Sequence, residues 1–233
     1  MRSNSIIQSS KSLAPNSPRP FTTTAITCLA VFLYLTSLFA CSNSPSAPDQ
    51  AFGQSTRQQC LARAVFGSPA DSEYILPFSV GASYPLLQTY CGPQNHGIDN
   101  QLAYDFTIPF GDPVIAARAG IVRWVTEHFA DNDTNRANHN HIYIEHSDGT
   151  TAFYAHLAKD SVRPEVGDRV EQGELIAQSG TSGGTIEVLH FGVYRTWPVQ
   201  GGNDVAINFR NADGPLDERG GLVQGAIYTA LPF

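Results

Sequence analysis

The sequence predicts an all-β domain, a compact antiparallel sandwich or barrel-sandwich hybrid with one short N-terminal helix. Three observations lead there. From Tyr74 onward, short apolar runs alternate with Gly, Pro, Asp and Asn turn signals. No run combines helical period with helical length. The chain has 233 residues, including 20 Gly and 15 Pro, which suits one domain plus extensions. The candidate strands are 83–90, 102–108, 113–117, 121–128, 140–146, 151–157, 174–179, 188–195, 204–209 and 225–229. Short strands at such regular spacing indicate a sandwich or barrel.

The N-terminus has a different character. Residues 1–40 carry Arg2, Lys11 and Arg19 and no acidic residue, and then an apolar run over 25–35. Leu38-Phe39-Ala40-Cys41 closes the run, and a polar stretch follows. This is the layout of a secretory signal. Leu38, Ala40 and Cys41 resemble a lipobox, which would make Cys41 the acylated residue; Phe39 is bulky for that position. An uncleaved membrane anchor over Phe21–Ala40 and simple secretion are the alternatives. All three place the domain outside the cytoplasm; the lipid anchor places it in the cell envelope, on the periplasmic face of a membrane. Ser42 after Cys41 leans towards the outer membrane. Residues 41–55 read as a flexible tether and 56–233 as the β domain, with its core over 76–195. Residues 56–66 are expected to form the short helix, with Thr56 as its cap.

Charge and cysteines narrow the classes further. Loss of residues 1–40 removes three positive charges and takes the formal charge from −7 to −10. So acidic a domain argues against a nucleic-acid partner. With Cys28 inside the signal and Cys41 at the lipid site, Cys60 and Cys91 remain as a pair in an oxidising compartment. A disulfide between them is expected. It would close a loop of about thirty residues and contribute roughly 3 kcal/mol through the unfolded state. Two zinc-binding thiols are the weaker alternative, because no CxxC spacing exists.

Residues 166–180 form a Gly-Asp-x-Val-x-x-Gly segment whose glycines suit tight turns. Biotinyl and lipoyl carrier domains have similar segments, but they need a lysine on an exposed hairpin. Beyond residue 40 the chain has only Lys159, which lies outside any such motif.

Seven histidines are present. His139-Asn140-His141 with Glu145 imitates a cupin motif, but the flanking glycines of that motif are missing. Strand alternation puts Ile142, Ile144 and His146 on one face and His141, Tyr143 and Glu145 on the other. The aliphatic face belongs to the core, so His141 points outward. His128, His139 and His141 read as surface or loop-packing residues. His146 precedes the turn Ser147-Asp148-Gly149 and reads as a strand-end hydrogen bonder. In Phe153-Tyr154-Ala155-His156-Leu157, alternation pairs Tyr154 with His156 on one face and leaves Phe153, Ala155 and Leu157 on an anchoring apolar face. Val188 and His190 share a face in the same way. His96 and Asp105 lie around one tight connection. Two imidazoles and one carboxylate, with a fourth position for water, match what a catalytic zinc site needs.

In order, the chain offers His96, Asp105-Phe106, Pro113-Val114-Ile115-Ala116-Ala117, Ile144-x-His146-x-Asp148-Gly149 and Tyr154-Ala155-His156-Leu157. Gly167-Asp168-x-Val170-x-x-Gly173, Ser179-Gly180 and Leu189-His190-Phe191 follow. From about Leu76 to Tyr194 this resembles the lysostaphin-type zinc metalloendopeptidases, which cut peptide cross-links of bacterial peptidoglycan. The resemblance implies zinc as cofactor, with His96, Asp105 and His190 as ligands. It implies His156 as the base towards the attacking water and Tyr90 as a stabiliser of the developing oxyanion. The expected partners are a peptidoglycan peptide and, through the N-terminus, a membrane; a monomer is expected. Two departures stand out. The usual spacing places the aspartate four residues after the histidine, whereas Asp99 is three residues and Asp105 nine residues after His96. The longer spacing resembles one branch of the family and favours Asp105. The family also has His-x-His before the phenylalanine, and Val188 replaces its first histidine. That leaves open a reduced activity, another group in the same role, or a non-catalytic module that binds peptidoglycan or regulates another cell-wall hydrolase.

Overall fold

The computed structural model describes residues 57–92 and 101–233. The signal or anchor, the tether, Thr56, His96 and Asp99 lie outside the described residues. Residues 57–63 are helical (α1), shorter than the expected 56–66, and a 3₁₀ turn follows at Pro69–Asp71. Among the described residues no helix is long and apolar enough to cross a membrane.

The remaining elements are strands: β1 Ser83–Gln88, β2 Tyr104–Phe106, β3 Pro113–Ile115, β4 Gly120–Thr126, β5 Asn140–Glu145 and β6 Thr151–Leu157. After them come β7 Arg169–Val170, β8 Leu175–Gln178, β9 Leu189–Tyr194, β10 Ala212–Asp213 and β11 Ile227–Ala230. A nine-stranded sheet runs in the order β10-β11-β1-β2-β9-β6-β5-β4-β7, and β3 pairs with β8 apart from it. All of these pairs are antiparallel. The all-β expectation holds, and the sheet stays open rather than closing into a barrel.

Alternation explains which face carries the core. In β5, Ile142 and Ile144 are fully buried, while His141, Tyr143 and Glu145 between them are only partly covered. Tyr104, Phe106, Tyr154 and Phe191 join them in the main apolar cluster, together with Val114 and Ala177 from the small sheet. Burying each such side chain is worth roughly 1.5–3 kcal/mol. The two tyrosines also satisfy their hydroxyls there: Tyr154 accepts from the Ala117 N–H at 2.8 Å and Tyr104 donates to the Ile207 carbonyl at 3.3 Å.

One strand expectation needs correction. Residues 204–209 form no strand; only an isolated bridge joins Tyr194 to Asp204. Side-chain anchors occupy this segment instead. Asp204 takes Arg63 at 2.6 Å and the Leu102 N–H at 2.7 Å, and Asn208 donates to the Gly67 carbonyl at 2.6 Å. Ile207 and Phe209 are buried all the same, which is why the apolar pattern looked like a strand. The two-residue strands β7 and β10 were too short to carry a periodic signal.

Register matters most for function. Gln88, Asp105, His190, Ala155, His141 and Thr126 are successive cross-strand partners, from β1 through β2, β9, β6 and β5 to β4. Residues directly opposite one another share a face. This row therefore lies on the side of the sheet away from the main core.

Candidate active site

Asp105 is forced onto that side by its neighbours. Tyr104 and Phe106 are fully buried in the core, so the residue between them points the other way. Leu189 and Phe191 do the same for His190. Pairing of β2 with β9 then sets the two side chains opposite each other, and His190 Nδ1 donates to Asp105 Oδ1 at 2.8 Å. Both are well covered, with side-chain exposures of 8% and 13%.

His156 reaches the same place by a different route, and simple alternation mispredicts it. Tyr154 is in the core, and it is Phe153 and Ala155 that face away from it, packed with Tyr194 in a second apolar cluster. Alternation would send His156 into the core beside Tyr154. Instead the backbone at His156 takes φ 65°, and the pairing of β5 with β6 slips there, from Asn140↔Leu157 to His141↔Ala155. A bulge of this kind re-aims one side chain. It turns His156 to the Phe153 side and returns Leu157 to the core. A non-glycine residue at positive φ costs of order 1–3 kcal/mol, and such strain clusters at functional sites. His156 Nδ1 donates to the Ser182 carbonyl at 2.7 Å, which leaves the Nε2 edge of the ring unspent by that bond. Burial pushes this imidazole below the usual histidine range, against the pull of the Ser182 bond.

A cavity of about 460 Å³ opens over these groups and is lined by Asp105, His190, His156, Phe153, Val188 and His139, among others. Phe153 forms its apolar floor, with ring centroids 5.6 Å from His190, 5.6 Å from His141 and 4.5 Å from Tyr143. Val188 is buried in the wall and brings no polar group.

Other candidates fall elsewhere. Tyr90 is not among the cavity-lining residues; its hydroxyl donates to the Asp217 carboxylate and its ring packs on Phe66 at 4.7 Å. Burial, reinforced by Asp217, raises this phenol well above its usual range. Cys60 and Cys91 form a disulfide that ties α1 to the segment after β1. Next to it, the Cys91 N–H donates to the Gln101 carbonyl at 2.6 Å and Arg63 donates to the Gln101 side chain at 2.8 Å. His128 is exposed against Phe129. His141 is half-buried in the aromatic cluster, where burial lowers it to about 4. His139 was expected to be a surface or loop residue, yet it lines the cavity. It precedes β5, where alternation says nothing about direction.

Among the described residues, no three His, Cys, Asp or Glu side chains gather to hold a metal. The described donors do suit zinc, which takes imidazole nitrogen and carboxylate oxygen. Two donors on one tetrahedral zinc stand about 3.3 Å apart, given bonds of ~2.0–2.2 Å. At 2.8 Å, His190 Nδ1 and Asp105 Oδ1 need part by only about half an ångström. Binding would also require Nδ1 to give up its proton.

Residues 99–208 match the profile of peptidase family M23. A curated relative, the peptidoglycan DD-endopeptidase ShyC of Vibrio cholerae, is 37% identical over 91 residues, covering 37% of this chain and 18% of that protein. This chain thus spans under a fifth of the relative's length. Similar solved structures include a zinc-containing peptidase from Vibrio cholerae, 26% identical with a TM-score of 0.34, covering 56% of this chain and 36% of that one. Another is the catalytic domain of lysostaphin from Staphylococcus simulans, 25% identical with a TM-score of 0.34, covering 50% and 80%. Residues 99–208 thus resemble a domain of peptidase family M23.

Proposed function

We propose that this protein is a zinc-dependent endopeptidase that hydrolyses peptide cross-links of bacterial peptidoglycan. One observation carries the proposal: sheet register sets Asp105 against His190, and the bulge at His156 turns a third side chain into the same cavity. His190 and Asp105, with His96, would hold the metal. Bound zinc would acidify the attacking water and polarise the scissile carbonyl. His156, held through Nδ1 by Ser182, offers Nε2 to take the water's proton. Phe153 and Val188 keep bulk water from one side of the cavity. An oxyanion role for Tyr90 would require its hydroxyl to leave Asp217. The resemblance to a peptidoglycan endopeptidase supports the substrate class, and a substrate in the envelope agrees with a lipid anchor at Cys41.

Val188 favours a second reading, a peptidoglycan-binding or hydrolase-regulating module without turnover. Incubation of the purified protein with isolated sacculi separates the two. The peptidase is expected to release soluble muropeptides with new amino termini. Sedimentation with intact sacculi and no new termini would establish the binding module instead.

A further inference from the structure

The cavity contains a second anchored imidazole, that of His139. Its Nδ1 lies 3.0 Å from the Arg136 carbonyl oxygen, which can only accept, so Nδ1 carries a proton and Nε2 stands on the opposite edge of the ring. The neighbouring His141 Nδ1 donates to the His139 carbonyl at 2.9 Å and fixes its backbone. The anchoring repeats that of His156, whose Nδ1 is held by Ser182.

One loop organises both rings. Ser182 provides the carbonyl for His156, and its hydroxyl accepts the Asn140 N–H, beside His139, at 2.9 Å. Gly183, at φ 74°, lies against His139 so closely that a Cβ there would stand 2.8 Å from the His139 Cβ. The two ring centroids end up 5.8 Å apart in the same cavity, with His139 edge-on to Phe153 at 6.1 Å. Val188, in the same lining, brings no group that could carry a proton.

We propose that His139 is the proton donor to the leaving nitrogen, working opposite His156. This rests on the peptidase reading above. In the step, a bond forms between the water oxygen and the carbonyl carbon as the carbonyl π pair moves onto its oxygen, and the water's proton passes to His156 Nε2. That pair then re-forms the carbonyl as the carbon–nitrogen bond breaks, and the leaving nitrogen takes a proton from Nε2 of protonated His139. Proton exchange with solvent restores both rings.

The test uses the full zinc-loaded chain and a cross-linked muropeptide dimer. His139→Gln is expected to lower kcat by about 100-fold or more, within the range for loss of a general acid, with KM and zinc stoichiometry unchanged. A second measurement needs no variant. Long-range nitrogen–proton spectra of the wild-type histidines are recorded as a phosphinate analogue of the cross-link is added. The His139 Nε2 signal is expected to move and that of exposed His128 to stay. A variant that keeps its kcat, or an unmoved His139 signal in the saturated wild type, overturns the assignment. A wild type that binds the analogue but cleaves no cross-link overturns the peptidase reading instead, and the proton transfer with it.

Discussion

His146 and His156 lie at opposite ends of the β5–β6 hairpin and are anchored alike. Each donates from Nδ1 to a backbone carbonyl, Ala119 at 2.9 Å for His146 and Ser182 at 2.7 Å for His156. Their surroundings then diverge. His146 keeps an ordinary backbone, is 4% exposed, packs edge-on to Tyr74, and has no partner for Nε2. His156 sits on a positive-φ bulge and faces a cavity shared with His190 and Asp105. Anchoring alone therefore does not mark a working histidine. The strained backbone and the open side set His156 apart.

Changes at the cavity end should have the largest effects. His190→Ala is expected to abolish zinc binding and to reduce muropeptide release to background, checked by metal analysis of the dialysed protein. Retention of one zinc per chain would break the site as drawn. His156→Gly should lower kcat by roughly 10²–10⁴ while leaving unfolding free energy within about 1 kcal/mol of wild type, because glycine tolerates φ 65°. Loss of several kcal/mol in denaturant unfolding would mean that the residue serves the fold instead.

Gly183→Ala should come next. The new Cβ meets His139, and φ 74° is strained for alanine, so a loss of about 1–3 kcal/mol in unfolding is expected together with slower turnover. The smallest effect on activity should come from the far end of the hairpin. Burial lowers His146 to about 4, and the Ala119 bond only partly offsets this. The folded state thus resists a proton that the unfolded chain accepts near its ordinary value of about 6.5. Stability should therefore fall as pH drops from about 6.5 to 4, by an amount on the order of 1–3 kcal/mol. His146→Phe should reduce that slope in thermal melts at several pH values, leaving the part that His141 and His156 contribute, and should leave neutral-pH turnover intact. An unchanged slope would place the titrating group elsewhere.

The same contrast explains what could be read in advance. Asp105 and His190 were singled out by the resemblance, and the structure supplies the reason they share a side: each sits between two buried apolar residues, which leaves it only one direction. His146 was legible as a strand-end hydrogen bonder before a turn signal, and its N–H indeed donates to the Thr150 carbonyl at 2.8 Å. The direction of His156 was not legible. A bulge adds one residue without altering composition, so the period-2 pattern assigned its neighbours to the wrong faces. His139 was missed because its direction depends on the approach of the 182–183 loop, far away in sequence. The glycines of Thr181-Ser182-Gly183-Gly184 were the available signal, since one of them permits that approach.

In the proposed function, register and bulge together build a zinc site that cuts peptidoglycan peptides. The most direct measurement is muropeptide release from isolated sacculi before chelation, after chelation, and after zinc is restored. Release, its loss on chelation, and its recovery with about one zinc per chain are expected. Release that continues undiminished in the metal-free protein would contradict that function.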